Sequence, residues 1–355
     1  MKKTVAPLLT LLLIAGVGFA LYQSLKDRFA SAVLVKGVIG SEKEDFFKDP
    51  ELTALLKKKG FQVEVQKAGS RQIATTFDLN GMDFAFPSGA PAAEKLRKDK
   101  KARTTFSVFF TPMVVASWQP IASILEKNGL AQNKGKYDLL DLEKLLQAIK
   151  DKKRWNSLKD SGAYPVNKPI LISSTDVTKS NSGAMYLALA SYIFNGDNVV
   201  QSAQQAAQVL DDVKPLFLQQ GYQESTSQGP FEDYFLIGMG KTPMVMVYES
   251  QYLDKALKNA LRPGMRLMYP NPGMFTKHIL VPFTDSGTKF GELLSNDPDI
   301  QRIAAKYGLR SQNQQVFEEV TRSSGLARPE AVADIVDPPT YDVLENMIQG
   351  IEQSR

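Results

Sequence analysis

Short apolar runs alternate with longer stretches of helical period along most of the chain. Ala32–Ile39, Phe61–Val65, Asp83–Phe86, Pro243–Val247, Met265–Tyr269 and Ile279–Pro282 are short, largely apolar runs that read as strands. Phe46–Lys59, Ile73–Leu79, Ile121–Leu130, Tyr137–Lys150, Asp299–Tyr307, Gln314–Arg322 and Tyr341–Glu352 carry apolar residues at helical spacing. Val199–Gln220 does so too, broken by Pro215. This alternation predicts an α/β protein with a parallel sheet. Phe106–Ser117 is a long β-rich run interrupted by Pro112, and it reads as a crossing between two lobes. Lys168–Asn195 combines an apolar strand (Lys168–Ser173), a hydroxyl-rich loop (Ser174–Ser182) and a helix apolar on most faces.

The ends of these strands carry the candidate chemistry. In open α/β sheets, ligands bind beyond the carboxyl ends of strands. Here those ends are Gly40-Ser41, Gly69-Ser70, Ser88-Gly89 and Thr178–Ser182. One hydroxyl there is ordinary turn chemistry, but four such ends make a converging polar pocket. A helix opening at Gly183 directs unpaired N–H groups and a positive dipole end at the loop before it. Ser41, Ser70, Ser88, Gly89, Ser180, Ser182, Gly183, Tyr248 and Glu249 are the candidate ligand-binding residues, with Ser180 or Ser182 acting only as an N-cap as the competing reading. Arg71 and Lys179 could add charge or be solvated loop residues, and Tyr248–Glu249 follow the strand Pro243–Val247. Glu249 is read as a brace at a hinge rather than a cation ligand.

Composition narrows the function. The chain has 355 residues, a net charge of +5, one histidine (His278) and no cysteine. Thiolate metal sites, a catalytic cysteine, disulfides and a lipid-modified N-terminal cysteine are excluded, and a histidine-based metal or triad site has only one position available. His278 is expected to be structural or at the surface. No serine stands beside a plausible base, so no enzyme activity and no cofactor are expected. Basic clusters at Lys57–Lys59, Lys95–Arg103 and Lys150–Arg154 are mixed with acids, and no nucleic-acid partner is expected.

Met1–Arg28 is laid out as an export signal: Lys2 and Lys3 precede the apolar run Ala6–Tyr22. It is either a cleaved signal peptide or a retained inner-membrane anchor, and in both cases the bulk of the chain is exported to the periplasm.

The order of GSEKE, QKAGSR, MDFAFPSG, TPMVVASW, STDVTKSNSG, GMGKTPMVMVYESQ, HILVPF and DPDIQRIAAKYGLR, from about Ala32 to Arg310, resembles the type 2 periplasmic solute-binding proteins of ABC importers, near the molybdate-type branch. The resemblance implies two lobes with ligand between them. Residues 31–112 and 249–310 would form lobe I, 113–248 lobe II, and 311–355 a helical extension packing on lobe I. Ser41 and Ser88 would be first-lobe contacts, Ser180, Ser182 and Gly183 second-lobe contacts, and Tyr248–Glu249 would mark the return crossing. The implied function is capture of a small acceptor-rich ligand (oxyanion, carboxylate or phosphate-bearing) by hinge closure, with an ABC permease or another membrane protein as partner. The alternative is a membrane-anchored scaffold or sensor that has lost or changed its ligand.

Overall fold

A computed structural model describes residues 32–135, 137–329 and 334–355. Met1–Arg28, read as signal or anchor, lies outside the described residues. Among those described, no helix is long and apolar enough to cross a membrane.

Nine strands form one mixed sheet. They are β1 (Val33–Ile39), β2 (Phe61–Lys67), β3 (Phe84–Phe86), β4 (Phe106–Trp118), β5 (Ala131–Asn133), β6 (Asp138–Asp141), β7 (Met244–Tyr248), β8 (Met265–Asn271) and β9 (Phe275–Pro282). The order is β2-β1-β3-β9-β4-β8-β6-β5, with β7 also on β4. The expected parallel sheet is corrected to a mixed one. β1 pairs in parallel with β2 and β3, but β9 and β4 run antiparallel to their neighbours and tie the two ends together.

The helices that matter for the site are α1 (Ser70–Thr75), α2 (Ala90–Asp99), α3 (Asn181–Phe194), α4 (Ala203–Leu218), α5 (Glu249–Leu257), α6 (Pro298–Lys306), α7 (Gln314–Thr321) and α8 (Tyr341–Glu352).

Pro112 explains how β4 serves two lobes. Up to Pro112 the strand pairs with β9; from Met113 it pairs with β7, and from Val115 also with β8. A proline has no N–H to lose where the partner changes. On one side of this switch, Val35 and Ile39 of β1 face a phenylalanine-rich cluster (Phe46, Phe84, Phe86, Phe109, Phe290). Val38, on the opposite face, meets Ile73, Ala85, Leu96 and Val281. This is the period of two that a strand buried on both faces requires. On the other side lies a single larger core, which contains both tryptophans, Trp118 and Trp155.

Three boundaries differ from the sequence reading. Lys168–Ser173, expected to be a strand, makes only isolated bridges, at Pro169 with Arg154 and at Ser173 with Val245. Pro169 removes a donor, and only Ser173 reaches the edge of β7. β8, numbered with lobe I, pairs with β4 and β6, and its Met268 and Tyr269 belong to the second core. The return crossing therefore falls between β8 and β9 rather than at Tyr248–Glu249. Residues 311–355, assigned to lobe I, are divided. α7 packs on α6. α8 buries Val343, Leu344, Met347, Ile348 and Ile351 in the second core against α4. It also touches the first lobe, packing against α2 with Tyr341 under Lys95 and pairing Glu345 with Arg71.

Candidate functional site

The strand ends converge where the lobes meet. After β1 the chain makes a tight turn, Ser41–Lys43, that carries Glu42 and Lys43 inward. Lys43 is fully buried, and the Glu42 side chain is 3% exposed. Lys43 Nζ donates to Glu42 Oε1, to Ser88 Oγ (3.0 Å) and to His278 Nδ1 (3.1 Å). The Ser88 hydroxyl donates to the same Glu42 oxygen. Behind it, Ser70 Oγ accepts from the Ser88 backbone N–H (2.9 Å), so Ser70 fixes the loop that presents Ser88.

The second lobe supplies the start of α3. Asn181 Nδ2 donates to the Ser88 carbonyl (2.9 Å) and to the Tyr248 hydroxyl (3.1 Å). Gly89 lies so close to Asn181 that a Cβ there would collide with Asn181 Oδ1, and a Cβ on Gly69 would collide with the Lys179 carbonyl. Both glycines let the lobes touch backbone to neighbour. Ser180 occupies the N-cap position of α3, but its side chain does not cap the helix. Instead Ser180 Oγ, Ser182 Oγ and Thr175 Oγ1 form a buried hydroxyl chain at 3.1 and 2.8 Å. Gly183 packs against the Thr175 carbonyl, where a Cβ would stand at 2.6 Å.

Of the candidate residues, the structure brings together Ser70, Ser88, Gly89, Ser180, Ser182, Gly183 and Tyr248. Two stand apart. Ser41 lies on the wall of an adjoining cavity of about 220 Å³ between the lobes, together with Glu42, Gln228, Glu232, Ser250 and Asp254. Glu249 is fully buried at the hinge, where it accepts from Tyr269 Oη (2.7 Å), Arg310 Nη2 (2.8 Å) and Arg310 Nε (3.0 Å). Arg71 donates to the Thr178 carbonyl (2.6 Å) besides pairing with Glu345. A larger groove of about 550 Å³ runs between α2 and residues 337–342, and it contains none of the candidate residues.

Glu42, Lys43, Asn181 and His278 were missed. His278, expected to be structural or at the surface, is fully buried and sits in the charged cluster. Its signal was the alternation in β9, where Thr276, His278 and Leu280 point inward together. Glu42 and Lys43 read as turn charges, because His278 lies 235 residues away from Lys43 in sequence.

Burial dominates the electrostatics. It pushes the Lys43 ammonium below its ordinary pKa, against the pull of Glu42. Burial alone would raise the Glu42 carboxyl, but the Lys43 charge opposes it, and the carboxyl is held below its ordinary value. Burial, then the Lys43 charge, lowers His278 to about 4. The imidazole is therefore neutral at pH 7, with Nδ1 free to accept from Lys43. His278 Nε2 is buried and has no hydrogen-bond partner. The Tyr248 hydroxyl is held well above the ordinary tyrosine value, first by burial and then by the Glu42 charge.

The fold also sets Ser88 beside a base, which the sequence did not show. Lys43 donates to Ser88 rather than accepting from it, and the serine proton is directed at Glu42. Among the described residues, no group of three or more His, Asp or Glu side chains could hold a metal ion.

Two cores with antiparallel strands crossing between them and a polar cluster in the cleft give a two-lobe architecture, a fold shared with solved periplasmic binding proteins. Solved structures with this fold include the sulfate-binding protein SubI from Mycobacterium tuberculosis H37Rv, at 14% identity and TM-score 0.55, covering 91% of this chain and 99% of that one. A periplasmic thiamin binding protein matches at 8% identity and TM-score 0.58, covering 91% and 96%. Iron-bound HitA from Pseudomonas aeruginosa matches at 15% identity and TM-score 0.55, covering 91% and 99%. The three match about equally well, so nothing singles out the molybdate-type branch. No family model matches the chain, and no curated protein matches it in sequence.

Proposed function

We propose that this chain is an exported solute-binding protein that captures a small, acceptor-rich ligand between its lobes by hinge closure. The observation that carries the reading is the convergence of donors from both lobes on one buried point. Lys43 Nζ of the first lobe donates to Ser88 Oγ, and Asn181 Nδ2 of the second donates to the Ser88 carbonyl and to the Tyr248 hydroxyl. A ligand that touches both lobes stabilises the closed arrangement through contacts the open one lacks. An ABC permease is the partner this reading implies, and the basic, apolar start of the chain is consistent with export.

A thermal-shift screen with oxyanions and small metabolites tests this. A ligand at one hundred times its Kd raises stability by about 2.7 kcal/mol. No stabilisation by any compound, with the protein verified free of ligand by native mass spectrometry, would count against capture.

One observation favours a second reading, a scaffold or sensor. α8 is joined to both lobes, through its core contacts with α4 and through the Arg71–Glu345 pair. Such a strap suits a protein that presents a fixed closed surface to a membrane partner. Recovery of a stable non-transporter partner from membranes, together with no ligand response, supports it over solute capture.

A further inference from the structure

An ion pair as deeply buried as Glu42–Lys43 is a poor device for stability, because desolvation takes back most of its attraction. It is well suited to exchanging partners. Of the three acceptors on Lys43, only Glu42 is charged; Ser88 and the neutral His278 are not. Glu42 also fronts the inter-lobe cavity of about 220 Å³, whose lining holds five carboxylates against three ammonium groups. Lys43 and Lys258, outside the lining, pair with Glu42 and Asp254, so the charges around the cavity balance, and a positive group entering it competes with Lys43 for Glu42. His278 Nε2, buried and unpartnered, leaves one further polar group in the cluster.

Resting on the solute-binding reading, we propose that the ligand is a small zwitterion, a carboxylate joined to an ammonium by a short chain, which inserts between Glu42 and Lys43. Its carboxylate takes the place of Glu42 on Lys43 and Ser88, and its ammonium is held by Glu42 on the cavity side. The reason is electroneutrality. After insertion every buried charge still faces an opposite one. A simple anion would leave two negative groups against Lys43, and a simple cation would leave two positive groups against Glu42. Either leaves a buried charge without its partner, which is the costly outcome.

Isothermal titration of the full chain tests this, with glycine, β-alanine and γ-aminobutyrate compared with acetate, ethylammonium and sulfate. The wild-type protein is expected to bind at least one zwitterion about tenfold or more tighter than any simple ion. Glu42→Gln is expected to reverse the order in favour of acetate, and Lys43→Gln in favour of ethylammonium, each by about tenfold. A purely structural ion pair would not switch the charge of the preferred ligand. Wild-type preference for sulfate or acetate over every zwitterion overturns the inference and leaves solute capture standing. Binding of no probe by the folded wild-type protein also overturns it, and solute capture is then decided separately by the metabolite screen. The decisive comparison uses the wild-type chain, so a variant that fails to fold does not remove the test.

Discussion

Two buried carboxylate–cation pairs, one between Glu249 and Arg310 and one between the sequence neighbours Glu42 and Lys43, are built differently. At the hinge, Glu249 is gripped by Arg310 through two nitrogens and by the Tyr269 hydroxyl, and the guanidinium lies over the Phe317 ring at 4.4 Å. A planar fork on a carboxylate, with a third donor and an aromatic face, leaves little to rearrange. In the cleft, Glu42 and Lys43 meet through one carboxylate oxygen, which Ser88 shares, beside a cavity and an unpartnered imidazole nitrogen. Lys43 is a point charge on a flexible stem. The same pairing chemistry thus makes a brace where it is saturated and bidentate, and an exchangeable site where it is neither.

The sharpest way to break this comparison is to remove the hinge cation. Arg310→Ala leaves Glu249 buried without its charge partner and should cost about 3–5 kcal/mol in urea unfolding. A loss below that of Lys43→Met would reverse the assignment of brace and exchange site.

Acid should expose the cleft next. The unfolded chain protonates histidine near its ordinary value of 6.5, whereas folded His278 stays neutral to about 4. As pH falls through this window the unfolded state binds more protons, so stability declines from about pH 6.5 to about pH 4, by roughly 3 kcal/mol at most. Unfolding curves at pH 7 and pH 4.5 measure the decline, and His278→Gln should flatten it. An unchanged slope in that variant would place the titration elsewhere.

A smaller effect is expected from removing both cleft charges together. Glu42→Gln combined with Lys43→Met should remain within about 1 kcal/mol of wild type, because the desolvation cost disappears along with the attraction. A loss as large as that of Arg310→Ala would make the cleft pair a second brace.

The smallest effect concerns the rim. Arg71 and Glu345 are 20% and 15% exposed. Arg71→Ala should cost about 1 kcal/mol, and less at high salt, as read by denaturant midpoint.

Much of the architecture was legible because it rests on local pattern. The period of two in β1 and β9, the helical stripes of α6 to α8, and Pro112 within β4 all carry their structural meaning in neighbouring residues. The strand-end hydroxyls were legible for the same reason, and Ser88, Ser180 and Ser182 do meet in the cleft. Glu249 could be read as a brace or a ligand contact, because its partner Arg310 lies 61 residues away in sequence. The charged centre of the site was hidden. Nothing near Glu42 or Lys43 in sequence distinguishes a buried pair from two solvated turn residues, since burial is conferred by β9 and by the second lobe. Asn181 was overlooked between two serines, although its longer amide is what spans the lobes. The apolar stripe of α8 shows that it must pack, but not on which core.

The division of aromatic residues between the two cores has an optical consequence. Trp118 and Trp155 both lie in the second core, while the first is filled with phenylalanine. Indole emission will therefore report melting of the second lobe alone, whereas far-ultraviolet circular dichroism reports both. Overlaying the two signals in one titration would show whether the lobes come apart as a single cooperative unit or in sequence.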